Sequence, residues 1–257
     1  NVGRLADINE TLTCSLNTKA NGCFNNKDKN ICLDGCITHL KSSKYSYSPI
    51  EFRGEYDINK NTMTAGIETK DPGLTAKADL NYSKKESHRF IMSLNVDSIT
   101  PSKIGVSDSI KETFAFNFNG ELTFSNKNNS VLNAKLQDFT YSNDNVRKTI
   151  KNLHFCDNRN EEQRLTMINS DFIDFSIIGQ YDYKSMLESI QKSITKHTPS
   201  LFSHNGQRTN ENCNYIFKCD IKDSHFVSEL FKLPVTINKQ SSINGACNDK
   251  KGLLTIN

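Results

Sequence analysis

Apolar and polar side chains alternate with a period of two along most of this chain. The clearest run is Phe114, Phe116, Phe118, Gly120, Leu122 and Phe124, interleaved with Ala115, Asn117, Asn119, Glu121 and Thr123. Successive side chains leave a strand on opposite faces, so such a run predicts a strand with one apolar face and one polar face. Phe90, Met92, Leu94 and Val96 repeat the pattern, as do Phe52, Gly54, Tyr56 and Ile58. Ile173, Phe175, Ile177, Gly179, Tyr181 and Tyr183 repeat it again. Shorter strand-like runs are read at 12–16, 31–37, 74–80, 132–136, 165–167, 215–221 and 235–237.

Asn-rich connectors separate these runs, at 59–61, 83–86, 126–129, 142–145 and 157–160. Asn and Asp tolerate left-handed backbone and bond their own main chain, so each connector predicts a reversal between neighbouring strands. Parallel strands need crossovers of a dozen or more residues, and these gaps are too short for that. The expected fold is all-β, an extended antiparallel meander curled into an open groove, with two short helices. One helix is predicted over 183–197. Its Ser185 and Glu188 have capping-box spacing, Met186, Leu187, Ile190 and Ile194 lie on one side, and Pro199 follows. The second is predicted over 224–232, with Asp223 as N-cap, apolar Phe226, Val227, Leu230 and Phe231, and Pro234 beyond. Both read as plugs for an open end of the sheet. The organisation expected is a β-groove meander over 1–182, a helical insertion with a loop and one strand over 183–232, and a return to the groove over 233–257. Without an initiator Met, and with strand-like sequence to Ile256, the chain reads as a piece of something longer.

Composition narrows this further. Among 257 residues only 35% are apolar, below the roughly 45–50% of ordinary domains. A thick two-layer core needs more, whereas a curved sheet with one wet face does not. No stretch approaches the about 20 apolar residues of a spanning helix. A formal net charge of +3 argues against nucleic-acid binding by bulk charge, and 15 Phe with 8 Tyr argue against disorder.

Candidate chemistry is sparse. The eight cysteines, Cys14, Cys23, Cys32, Cys36, Cys156, Cys213, Cys219 and Cys247, contain no C-x-x-C pair and read either as small core hydrophobes or as disulfide partners. Cys14, Cys219 and Cys247 fall on the apolar parity of their strands. The histidines form no metal-binding pair, and no phosphate loop, nucleophile elbow or dinucleotide fingerprint occurs. Asp171 and Asp174 are a possible carboxylate pair, but a spacing of three on a strand sets them on opposite faces. The chain is therefore read as non-enzymatic and without cofactor or metal.

Several stretches resemble the repeating pattern of TamB-like translocation and assembly proteins, within the AsmA-like group of bridge-type lipid carriers. They are Ile50-Glu51-Phe52-Arg53-Gly54-Glu55-Tyr56, Thr69-Lys70-Asp71-Pro72, Leu94-Asn95-Val96-Asp97-Ser98-Ile99, Asn117-Phe118-Asn119-Gly120-Glu121-Leu122, residues 169–181, Leu233-Pro234-Val235 and Ser242-Ile243-Asn244-Gly245. The resemblance implies a β-groove in the periplasm, belonging to a protein anchored to the inner membrane. It implies phospholipid acyl chains as cargo between inner and outer membranes, an outer-membrane assembly barrel as partner, and support of protein secretion. The groove lining implied is Phe52, Tyr56, Phe90, Met92, Leu94, Phe114, Phe116, Phe118, Leu122, Phe124, Phe175, Ile177 and Tyr181. Two other readings stay open: a secreted β-rich module binding protein or glycan, and a chaperone-like surface that takes outer-membrane proteins by strand addition.

Overall fold

The computed structural model describes residues 13–24, 29–42, 44–126, 128–143, 147–186, 213–223, 241–248 and 253–256. They form fifteen strands: β1 (Thr13–Phe24), β2 (Lys29–Lys41), β3 (Ser46–Tyr47), β4 (Ile50–Asp57), β5 (Thr62–Asp71), β6 (Leu74–Lys84), β7 (His88–Ile99), β8 (Thr113–Asn126), β9 (Asn129–Ser142), β10 (Arg147–Arg159), β11 (Arg164–Ser170), β12 (Ile173–Gln180), β13 (Asn214–Ile221), β14 (Ser241–Asn248) and β15 (Leu253–Ile256). Apart from the two-residue β3, which pairs with β2, each strand bonds its sequence neighbours, from β1 through to β15. The chain is an all-β antiparallel meander. It is not closed into a barrel, because β1 and β15 stand at opposite ends of the strand order.

Local chemistry explains the reversals. Asn61 takes the left-handed backbone (φ 53°) that closes the β4–β5 turn. The Asn126 side chain accepts from the Asn128 amide at 2.8 Å. Asn160 accepts from the amides of Glu162 and Gln163 at 2.9 and 2.8 Å. The connector expected at 157–160 is thereby corrected: Asp157, Asn158 and Arg159 stay inside β10, and the turn begins at Asn160. Two strands carry little periodic signal. β5 presents Met63, Ala65, Ile67 and Thr69, too few large apolar groups to stand out, and the apolar positions of β10, Ile150, Leu153 and Phe155, do not share one parity.

The chain divides into two compact units, residues 1–125 with 134–152, and residues 126–133 with 153–257. In the first, full burial is concentrated where the 44–49 and 100–112 connections fold over one end of the strands. Asp71, 1% exposed, anchors them: it accepts from the Tyr45 hydroxyl, from the Ser48 amide at 2.7 Å and from the Gly73 amide at 2.8 Å. The Tyr47 hydroxyl donates to the Ile104 carbonyl at 2.9 Å, and Ile104, Val96, Thr69 and Thr100 are buried beside it.

The second unit has a closed core of Ile177, Tyr181, Cys213, Tyr215 and Cys247, with Phe175, Met186 and Phe217 against it. Gly179 (φ +150°) permits this approach, since a Cβ there would stand 2.1 Å from the Asn214 carbonyl oxygen. A helical turn over 183–186 follows β12. Its cap is Asp182, not the Ser185 expected from sequence. The Asp182 carboxylate accepts from the amides of Lys184 and Ser185 at 2.9 and 3.1 Å, which satisfies free donors at the helix start. The remainder of the 183–197 helix, the 224–232 helix and the 235–237 strand lie outside the described residues.

Candidate functional site

In an antiparallel pair, residues directly opposite one another project from the same face. The registers of the first unit therefore assemble its lining row by row. One row across β2, β4, β5, β6, β7 and β8 is Ile31, Tyr56, Met63, Tyr82, Phe90 and Leu122. The next is Leu33, Gly54, Ala65, Leu80, Met92 and Gly120, and the third is Gly35, Phe52, Ile67, Ala78, Leu94 and Phe118. A fourth, Ile37, Ile50, Thr69, Ala76, Val96 and Phe116, lies toward the buried end. The opposite face carries Asp34, Arg53 and Asp79 in one row and Glu51, Glu68 and Lys77 in the next.

Small residues open a gap in the second and third rows. Gly54, Ala65 and Ala78, with Leu33, Leu80 and Met92, bound an open depression of about 490 Å³. None of the ten lining candidates in this unit is buried, from Phe52 and Tyr56 through Phe124. Leu33, Ile67 and Met92 are 40%, 46% and 39% exposed. Isolated exposed apolar side chains are ordinary, but a contiguous patch across six strands is not. The ends of the face differ. Phe114 is paired with Ile99 and packs on Phe139 and Tyr141 with ring centroids 6.0 and 5.7 Å away. At the other end Phe124 stacks on His88 at 5.0 Å, and the Tyr82 hydroxyl meets His88 Nδ1 at 3.0 Å.

The remaining three candidates behave differently. Phe175 is half-buried, but Ile177 and Tyr181, 2% and 8% exposed, are core residues and line no open surface. The rings of Tyr181 and Tyr215 meet edge to face at 5.8 Å.

Sequence reasoning missed a polar cluster on this same face. Asp157 is opposite Thr166, and Thr166 is opposite Ile177. Arg164 donates to both Asp157 oxygens, Nε at 2.7 Å and Nη2 at 2.6 Å. The hydroxyls of Thr166 and Tyr183 donate to Asp157 Oδ1 at 2.8 and 3.1 Å. The Arg164 guanidinium sits 3.9 Å from the Tyr183 ring centroid, a cation–π contact. The signal available was parity: Asp157 continues the Leu153 and Phe155 alternation, which sets its carboxylate on the apolar face, where a buried charge needs a partner.

Electrostatics follows burial. Burial pushes the Asp157 carboxyl up, but hydrogen bonds from Arg164 and Thr166 and the guanidinium charge hold it below the usual carboxylate range. Asp71 is likewise held low: hydrogen bonds from Tyr45, Ser48 and Gly73 outweigh its burial. The bond to Asp71, aided by burial, pushes the Tyr45 phenol up to about 12, and burial does the same for Tyr181. A lowered carboxylate stabilises the fold above its unfolded pKa of about 3.9 and loses that contribution as pH falls through the native value. A raised phenol contributes below about pH 10 and loses it as pH climbs toward 12. Melting temperature is thus expected to be level near neutrality and to drop below about pH 4 and above about pH 10. Asp71→Asn should flatten the acid limb, which a pH series of thermal melts will read.

Cysteines are dispersed. Cys32 and Cys36 lie opposite Glu55 and Glu51 on the polar face, Cys219 opposite Phe175 on the apolar face, and Cys213 and Cys247 are buried in the core. Cys14 is exposed. Asp171 lies in the β11–β12 turn, while Asp174 pairs with Lys222 at 2.7 Å. Compared with protein-family models, characterised proteins and solved structures, the chain matches none.

Proposed function

We propose that the apolar face of the first unit seats the hydrocarbon chains of a lipid, as a segment of a bridge-like carrier. What carries this reading is one observation: ten large apolar side chains of β4, β7 and β8 lie on one sheet face, none of them buried. A lipid leaving a bilayer exposes its acyl chains at about 0.8 kcal/mol per CH₂, so two chains face a cost of tens of kcal/mol. A continuous apolar floor lowers that barrier with no covalent step, while the headgroup stays in water. Along the strands, the four rows from Tyr56 to Ile50 on β4 span about 20 Å at about 3.4 Å per residue, more than the roughly 15 Å of hydrocarbon in one leaflet. Together with the resemblance to TamB-like proteins, the reading extends to phospholipid transfer between the inner and outer membranes from the periplasm, in support of outer-membrane assembly and protein secretion.

The test is mass spectrometry of the chain purified from a lipid-containing host under non-denaturing conditions. Stoichiometric phospholipid is the expected result. A lipid-free chain that also fails to take phospholipid from vesicles would overturn the reading and leave a protein-binding module in its place.

A further inference from the structure

We infer that the lipid is held with its headgroup at one particular rim of this face, and that the headgroup is anionic. The inference rests on the lipid reading above. Beyond the row of Tyr56, Tyr82 and Phe90 the chemistry of the face changes within one residue pair. Lys29 lies two residues before Ile31 on β2, and Lys84 pairs with His88, which pairs with Phe124. Lys84 and Lys29 are tied to the intervening turn through backbone bonds, Lys84 amide to Asn61 carbonyl at 3.1 Å and Ile58 amide to Lys29 carbonyl at 2.8 Å. Lys85 adds a further cation in the β6–β7 turn. Lys29, Lys84 and Lys85 are all exposed, and none forms an ion pair among the described residues. Among the described residues, the neighbouring acids are Asp57, which is occupied by Lys60 at 2.8 Å, and Glu86.

The two tyrosines mark the boundary. The Tyr56 hydroxyl donates to Asn61 Oδ1 at 3.0 Å and that of Tyr82 meets His88, so both rings keep their apolar bodies in the lining and aim their polar tips at the lysine rim. Amphipathic aromatics with one dry and one wet end settle where hydrocarbon gives way to headgroup. At the opposite end, where Lys103 and Lys111 are also exposed, the 44–49 and 100–112 connections cover the strands: the Tyr45 and Tyr47 hydroxyls are bonded to Asp71 and to the Ile104 carbonyl and do not face an open rim, and Lys44 is paired with Asp108 at 2.9 Å. Apolar floor, tyrosine tips and unpaired lysines follow one another in the order that chains, glycerol and phosphate take in a lipid. Clustered lysines beside an apolar surface attract acidic headgroups, and salt weakens that attraction.

The experiment compares binding of pyrene-labelled phosphatidylglycerol and phosphatidylcholine to the full chain, titrated at low ionic strength and again in about 0.5 M salt. The wild type is expected to prefer phosphatidylglycerol by about tenfold at low salt, with the ratio collapsing toward one at high salt, where the Debye length is only a few ångströms. K29A/K84A/K85A should bring the ratio near one at either salt, and Lys77→Ala on the polar face should leave it as in the wild type. Equal affinity for both lipids in the wild type, or a preference that survives the triple substitution, overturns the headgroup assignment while the trough stands. Binding of neither lipid overturns the trough and this inference together.

Discussion

Gly54→Phe is expected to abolish lipid binding, by at least about tenfold, while the sheet keeps its fold. Gly54 lines the depression beside Ala65, and a Cβ built there meets only the Thr64 carbonyl oxygen at 3.7 Å, an ordinary contact. A phenyl ring at that position thus enters the depression and not a neighbour. Loss of apolar contact along a chain is costly at about 0.8 kcal/mol per CH₂, so blocking even two or three methylene positions reaches tenfold. Met92→Asp tests the same floor by charge. Met92 is 39% exposed, and substitutions at such sites usually change stability by less than about 1 kcal/mol. Phe116 is a poorer probe, because it is opposite Val96, which is 5% exposed, and lies 6.2 Å from the Phe139 ring. The measurement is titration with pyrene-labelled phospholipid beside a thermal melt. Undiminished binding by both variants, each folded, would remove this face from the lipid path.

Arg164→Met should be the most destabilising single change in the second unit, by about 3–5 kcal/mol, because it strands the buried Asp157 carboxylate without its cation. The Asp157 and Arg164 side chains are 8% and 13% exposed, so water does not replace the lost partner. Asp157→Leu combined with Arg164→Met should recover most of that loss, since an apolar pair of similar volume avoids desolvating two charges. The comparison is made by urea denaturation of both singles and the double. An additive double would show that the ion pair holds nothing together as a pair.

How much of this was legible beforehand depends on which physical quantity the sequence encodes. Parity is encoded directly, so the alternation of Phe52, Phe90 and Phe118 placed each on one face of its strand, and the registers then put Phe52, Leu94 and Phe118 in a single row. Depth of burial is not encoded that way. Ile177 and Tyr181 share the apolar parity with Phe175, yet a closed cluster forms around them because Gly179 brings the Asn214 and Tyr215 backbone close and Met186 packs from the helical turn. Charge on the apolar parity was the other gap. Asp157 falls in a connector by sequence and Asp71 is marked by no pattern of its own, yet both are buried acceptors because donors from distant segments converge on them, Tyr45 on Asp71 and Tyr183 on Asp157. The 183–186 turn shows a smaller version: Ser185 had capping-box spacing, but Asp182 stood three residues earlier with a better acceptor.

The strand order has one more consequence. With β3 set aside, each strand among the described residues is bonded only to those before and after it in the chain, so no distant segment has to be rethreaded when a hairpin is gained or lost. Each added pair would widen such a ribbon by about 10 Å and preserve inside-outside parity. Gene-level duplication of hairpins is then a direct way to set the distance a protein of this design reaches.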